Sequence, residues 1–164
     1  MLEKEERKEL DREWIQIVII WGSLFSSLAI YVFICIVIDK GGNISKQVNS
    51  QIDTIRMALY FISLAILFLA KFIRKKMLST KDEDVNKMFS KDISNNRHPA
   101  IAKYTIAIIV STAMVEIIGI FGVVLFFLGE GLETLYSFIM VSAAAMLYFR
   151  PQKEELLKLA NQMK

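Results

Sequence analysis

The sequence is poor in the residues that build catalytic and metal sites. It holds one histidine, His98, and one cysteine, Cys35, so it offers neither a multi-histidine metal site nor a disulfide within the chain. It has no P-loop, Gly-x-Ser-x-Gly or Cys-x-x-Cys motif, and no carboxylates pair at catalytic spacing. The lysine-rich stretch 71–91 lacks the interleaved aromatic residues of a nucleic-acid interface. We therefore expect a protein that is not an enzyme, needs no metal or cofactor and binds no nucleic acid.

Long stretches of the chain also lack charge. Hydrophobic residues make up 54% of the 164 residues, the mean hydropathy is +0.43, and the apolar residues are gathered into runs. A soluble domain of this size would carry more polar surface. The runs predict four transmembrane spans, at about 14–38, 57–73, 105–128 and 132–149, within a single integral membrane domain covering residues 1–164. The predicted fold is all-α, a four-helix transmembrane bundle of two hairpins.

Lysine and arginine are distributed unevenly between the two sides of this predicted bundle. Of the 20, 17 lie in the N-terminal arm, in residues 71–103 or in the tail after Phe149, and none lies in the turn 129–131. Because positive residues favour the cytoplasmic side, we expect both termini and the loop 74–103 to be cytoplasmic, in a bacterial inner membrane. Four basic residues close the second span and are expected to extend to the lipid headgroups; they are Lys71, Arg74, Lys75 and Lys76.

Two polar segments carry apolar residues at helical spacing, which predicts short amphipathic helices. The first lies in the loop 74–103 and begins at a capping-box pattern, Thr80–Glu83. Its apolar face consists of Val85, Met88, Phe89 and Ile93. The second lies in the tail after Pro151, with Leu156, Leu159, Ala160 and Met163 on one side. The loop helix is suited to an anionic membrane surface or to a partner subunit.

One acid lies deep within a predicted span. Glu116 falls near the middle of Thr105–Leu128, and no Lys or Arg lies in the interior of any span to pair with it. Because an ionisable group at that depth is costly, such residues face protein or water and often mark a functional site. Thr112, one turn earlier, is predicted to donate to the carboxylate or to supply an oxygen for sodium. Gly119 and Gly122 leave room for the close approach of another helix.

The sequence around this acid resembles a known family of ion carriers. An Arg-x-Pro motif at Arg97 and Pro99 is followed, about five helical turns later, by Glu116 in the stretch EIIGIFGVV. This arrangement over residues 97–128 resembles the ion-carrying arm of rotary ATP synthase c subunits, the proteolipids. The resemblance implies that Glu116 carries a proton or a sodium ion and that Thr112 is a candidate accessory oxygen.

Two functional hypotheses remain open from the sequence. The stretch from Glu116 onward also resembles small bacterial four-span membrane proteins, which favours a non-enzymatic protein that forms homo-oligomers or joins a larger membrane complex. In that case Glu116 is a packing residue, protonated and bonded to a serine or threonine of a neighbouring helix. The alternative is a c-subunit-like protein that handles protons or sodium through Glu116.

Overall fold

Helices account for nearly all of the chain that the structure shows. The computed structural model describes residues 4–41, 50–79 and 99–162. Within these ranges there are five helices and no strand, which confirms the all-α prediction. The helices are α1 (Lys4–Lys40), α2 (Ser50–Leu78), α3 (Pro99–Phe127), α4 (Leu132–Tyr148) and α5 (Lys153–Gln162). The predicted amphipathic helix of the loop 74–103, with Arg97 of the Arg-x-Pro motif, lies outside the described residues.

Three of these helices are long and apolar enough to cross a membrane. They are Asp11–Lys40 of α1, Gln51–Leu78 of α2 and Ile101–Phe127 of α3. With its 17 residues α4 reaches about 26 Å, somewhat less than a bilayer core of about 30 Å. It meets α5 at a bend of 44°, and the two together make a fourth candidate span with a break in it. The prediction of a multi-pass membrane protein is thus confirmed at the level of helix length and composition.

Glycine closes two of the long helices. At the end of α1, the Gly41 N–H donates to the carbonyls of Val37 and Ile38 at 3.2 and 3.1 Å. At the end of α3, Gly129 adopts a φ of 98°, and the Glu130 N–H donates back to the Leu125 carbonyl at 3.1 Å. This Schellman-type closure needs the left-handed backbone that glycine adopts without strain. It reverses the chain within a few residues, so α4 packs antiparallel to α3.

Helix α3 is the centre of the structure. It packs against each of the other four helices. In its most apolar stretch 44% of the residues are buried inside the protein, compared with 11% in α1 and in α2. The outer helices instead expose large apolar side chains, including Phe33 at 68%, Phe61 at 74% and Phe68 at 69% exposure. Apolar surface on this scale is typical of a protein surrounded by lipid rather than water.

Polar contacts hold the two ends of the bundle. At one end Arg56 of α2 bridges to Glu130, with its Nη1 at 3.1 Å from both carboxylate oxygens. At the other end Arg74 donates to the Phe149 carbonyl at 2.7 Å and to Glu155 at 2.8 Å. The sequence interpretation of Arg74 as a headgroup-seeking side chain was wrong. Its guanidinium turns inward because the break between α4 and α5 leaves the Phe149 carbonyl without a helical donor.

The second amphipathic helix, α5, packs inward as well. Leu156, Leu159 and Ala160 on its apolar face are buried in a cluster with Ile17 of α1 and Ile108 of α3. The hydroxyl of Tyr104 in α3 donates to the Gln152 carbonyl at 3.0 Å and accepts from the Gln152 N–H at 2.7 Å. These contacts fix α5 to the end of the bundle where Arg74 lies.

Candidate functional site

Glu116 lies at the edge of the contact between α3 and α1. Its helical neighbours Thr112, Val115 and Gly119 are buried, whereas Ala113, Ile117 and Ile120 on the other side are exposed. Glu116 itself is half-buried. At about 1.5 Å per residue it is roughly 23 Å from the Ile101 end of the candidate span and roughly 17 Å from the Phe127 end. The carboxyl therefore lies deep in the span and next to the protein's outer surface.

Two hydroxyl groups of α1 converge on this carboxyl. Ser27 Oγ and Tyr31 OH both donate to Glu116 Oε1, the tyrosine at 3.0 Å. Ser27 and Tyr31 are four residues apart, so they project from the same face of α1. Because α1 and α3 run side by side in the same direction, both hydroxyls meet the one acid of α3. We call Glu116, Ser27 and Tyr31 the carboxyl cluster.

The serine of the carboxyl cluster has a second acceptor within reach. Its Oγ lies 2.7 Å from the Leu24 carbonyl, one turn back on its own helix. A hydroxyl has one proton to donate, so Ser27 can serve either the carboxylate or the Leu24 carbonyl at one time. If Glu116 is ionised, Ser27 donates to it. If Glu116 is protonated, the carboxyl can donate to Ser27 Oγ, while Ser27 donates to Leu24. The same heavy-atom arrangement therefore satisfies both charge states.

Thr112 is buried but does not join this arrangement. It is 0% exposed, and its Oγ1 makes no hydrogen bond, alone among the buried side-chain oxygen and nitrogen atoms of the described chain. The sequence suggested Thr112 as the oxygen beside Glu116, whereas the observed partners come from α1. Of the three serines in the middle of α1, Ser26 bonds to its own turn at Gly22, Ser23 is exposed, and Ser27 reaches the acid.

The two glycines of α3 are used for packing inside the chain. A Cβ placed on Gly119 would lie 2.7 Å from a methyl group of Leu28 in α1. A Cβ on Gly122 would lie 2.8 Å from the Cβ of Phe138 in α4. The close approach that these glycines were expected to permit is thus made by helices of the same chain. Ser142 of α4 adds a hydrogen bond of 2.9 Å to the Val115 carbonyl.

The remaining sequence features contribute little to this site. Pro99 is the first residue of α3, where its missing N–H leaves no helical bond unmade. Across residues 4–41, 50–79 and 99–162, no three His, Cys, Asp or Glu side chains are grouped so as to hold a metal ion. No family model matches the chain, and neither does any curated protein or solved structure. The functional argument therefore depends on the carboxyl cluster itself.

Proposed function

We propose that this protein is a non-enzymatic integral membrane protein that takes up and releases a proton at Glu116. The observation that carries the proposal is the carboxyl cluster, in which Glu116 has hydrogen-bond partners both as an acid and as a carboxylate. A buried polar group without a partner costs about 1–3 kcal/mol, and more if it is charged. A site that keeps its partners in both states avoids that cost when the proton moves.

Each member of the cluster has a distinct part in this proposal. Tyr31 donates to Oε1 in both states and holds the carboxyl against α1. The Ser27 O–H reorients: it donates to the carboxylate when Glu116 is ionised, and to the Leu24 carbonyl when Glu116 is protonated and donates to Ser27 Oγ. The exposed strip beside Glu116, formed by Ala113, Ile117 and Ile120, leaves one side of the carboxyl open at the outer surface of α3.

The proposed placement in the membrane follows the charges at the two ends. The chain crosses the inner membrane of a bacterium four times, the fourth time through the broken pair of α4 and α5. Both termini and the loop 74–103 face the cytoplasm, since 17 of the 20 lysines and arginines lie on that side. Glu116 is then held on a helix that runs outward from the cytoplasm.

The proposal is tested by labelling the purified protein with a hydrophobic carbodiimide, which reacts with protonated carboxyls in apolar surroundings. We expect selective modification at Glu116 that falls as the pH rises, and none in Glu116→Gln. Glu133, an exposed acid at the start of α4, is the control within the same molecule. If sodium at constant pH protects Glu116 from the label, the ion bound at this site is sodium and not the proton. Unreactive Glu116 at every pH would overturn the proposal.

A second candidate function is assembly with other membrane helices, including a second copy of this chain. It is favoured by the position of Glu116 at the border of an exposed apolar strip, where a partner helix would contact the carboxyl cluster. In this reading the cluster joins α1 to α3 and its charge state does not change. Cysteine crosslinking of Ile117→Cys in membranes tests it, with Phe61→Cys on α2 as the matched control. Crosslinks specific to position 117 support assembly, whereas equal yields at both positions contradict it.

A further inference from the structure

A groove runs between α2 and α4, and none of the residues that line it belongs to the carboxyl cluster. The two helices touch near one end, where the rings of Tyr60 and Phe138 stack with centroids 4.5 Å apart. They touch again where Arg74 bonds to the Phe149 carbonyl. Between these contacts the small side chains of α4 leave a space of about 440 Å³ with almost entirely apolar walls. The walls include Leu64, Leu67 and Phe68 of α2 and Val141, Ala144 and Ala145 of α4.

A second space, which has charged side chains in its walls, adjoins this apolar groove at the end of the bundle. The second space has a volume of about 610 Å³ and shares Lys71, Tyr148 and Phe149 with the groove. Its walls carry three basic side chains, Lys71, Arg74 and Lys75, and one acid, Glu155. Arg74 is paired with Glu155. In the described chain neither Lys71 nor Lys75 has an ion-pair partner, so two positive charges face this space without a counter-ion.

We propose that these two spaces together bind one anionic phospholipid, with its phosphate beside Lys71 and Lys75 and an acyl chain in the groove. The two volumes are each in the range of small-molecule sites, about 300–1,000 Å³. The order of the surfaces also matches a lipid, since the apolar groove lies along the span and the lysines lie at its end. Basic pockets between transmembrane helices are suited to anionic headgroups. The proposal requires only that the chain lies in a bilayer and does not depend on Glu116.

The groove has a clear physical origin in the sequence. Ala144 and Ala145 have short side chains, which leave the space between α2 and α4 unfilled. Tyr60 and Arg74 hold the two helices apart at the two ends of this space. Lys71 lies one turn before Lys75, so both side chains project from the same face of α2. A lysine near an anionic membrane surface contributes about 1 kcal/mol, which is about a fivefold change in affinity.

The test measures lipid binding to the purified full chain by native mass spectrometry in detergent. We expect phosphatidylglycerol to bind in preference to phosphatidylcholine. The change Lys71→Gln or Lys75→Gln should weaken binding about fivefold, and the double variant about 30-fold. Lys76→Gln, at a neighbouring exposed lysine outside the pocket, should leave the affinity unchanged. Ala144→Leu should also weaken binding by filling the groove, whereas Ala113→Leu, on the exposed strip of α3, should not.

Several results would overturn the proposal. Equal affinities for phosphatidylglycerol and phosphatidylcholine would show that binding does not depend on the charge of the headgroup. Full affinity in the double lysine variant would place the lipid elsewhere. If inorganic phosphate displaced the lipid, or bound equally well, the site would be one for a free anion. Absence of labelling of both α2 and α4 by a photoreactive phosphatidylglycerol would also contradict the proposal. In that case residues 80–98 or a second copy of the chain would be the occupant of the groove.

Discussion

Replacing Gly122 by alanine should force α4 away from α3. The new Cβ would lie 2.8 Å from the Phe138 Cβ and 3.2 Å from the Leu135 carbonyl oxygen. Carbon atoms pack at about 3.5–4.0 Å, so the two helices would have to separate by roughly 1 Å. Neither obstacle can rotate aside, because a Cβ and a carbonyl oxygen are fixed to the backbone of α4. Overpacking of this kind lowers the free energy of unfolding by about 1–3 kcal/mol, and the better helix propensity of alanine offsets up to about 1 kcal/mol of that loss.

The matched substitution is Gly119→Ala, one turn away on the same helix. Its Cβ would meet the Cδ2 of Leu28 at 2.7 Å, the flexible end of a side chain, and its other neighbours lie at 3.4 and 3.5 Å. We expect Gly122→Ala to lower the free energy of unfolding by about 1–2 kcal/mol and Gly119→Ala by less than about 1 kcal/mol. The assay is unfolding of each purified variant in mixed micelles, followed by circular dichroism. Equal losses, or a larger loss for Gly119→Ala, would refute the account of how α3 and α4 pack.

Other predictions concern the end of the bundle near α5, each measured in the same unfolding assay. Arg74→Ala should cost about 1–3 kcal/mol, because the Phe149 carbonyl loses its donor and Glu155 loses its ion-pair partner, whereas exposed Lys75→Ala should stay within about 0.5 kcal/mol. Comparable losses for the two variants would contradict the inward placement of Arg74. Tyr104→Phe should cost about 1 kcal/mol through the lost contacts to Gln152, whereas Tyr148→Phe, at an exposed ring, should cost little. An unchanged stability in Tyr104→Phe would show that α5 is not fixed by this hydroxyl.

The helices themselves were largely predictable from the sequence. The apolar runs located the long helices, because length and composition alone decide whether a segment can cross a bilayer. The first predicted span, at about 14–38, lies within α1, which runs without a break from Lys4 to Lys40. Likewise, the turn of Gly129–Gly131 predicted the immediate reversal from α3 to α4. Such features depend on local sequence, so a single chain reveals them.

Contacts between helices were harder to predict. The partners of Glu116 lie 85 and 89 residues away, on α1, and nothing in the sequence states the register between α1 and α3. The available signal was the spacing of Ser27 and Tyr31, which places two hydroxyls on one face of the same long helix. Arg74 was misinterpreted for a related reason. Only the three-dimensional break between α4 and α5 creates the unpaired carbonyl that draws its guanidinium inward.

The measurement that tests the central claim most directly is infrared difference spectroscopy of the protein in lipid, recorded while the pH is changed. The account predicts a protonated-carboxyl band in the wild type that disappears as the solution becomes alkaline and is missing from Glu116→Gln. A wild-type spectrum in which no carboxyl band depends on both pH and Glu116 would contradict the claim that this residue exchanges a proton.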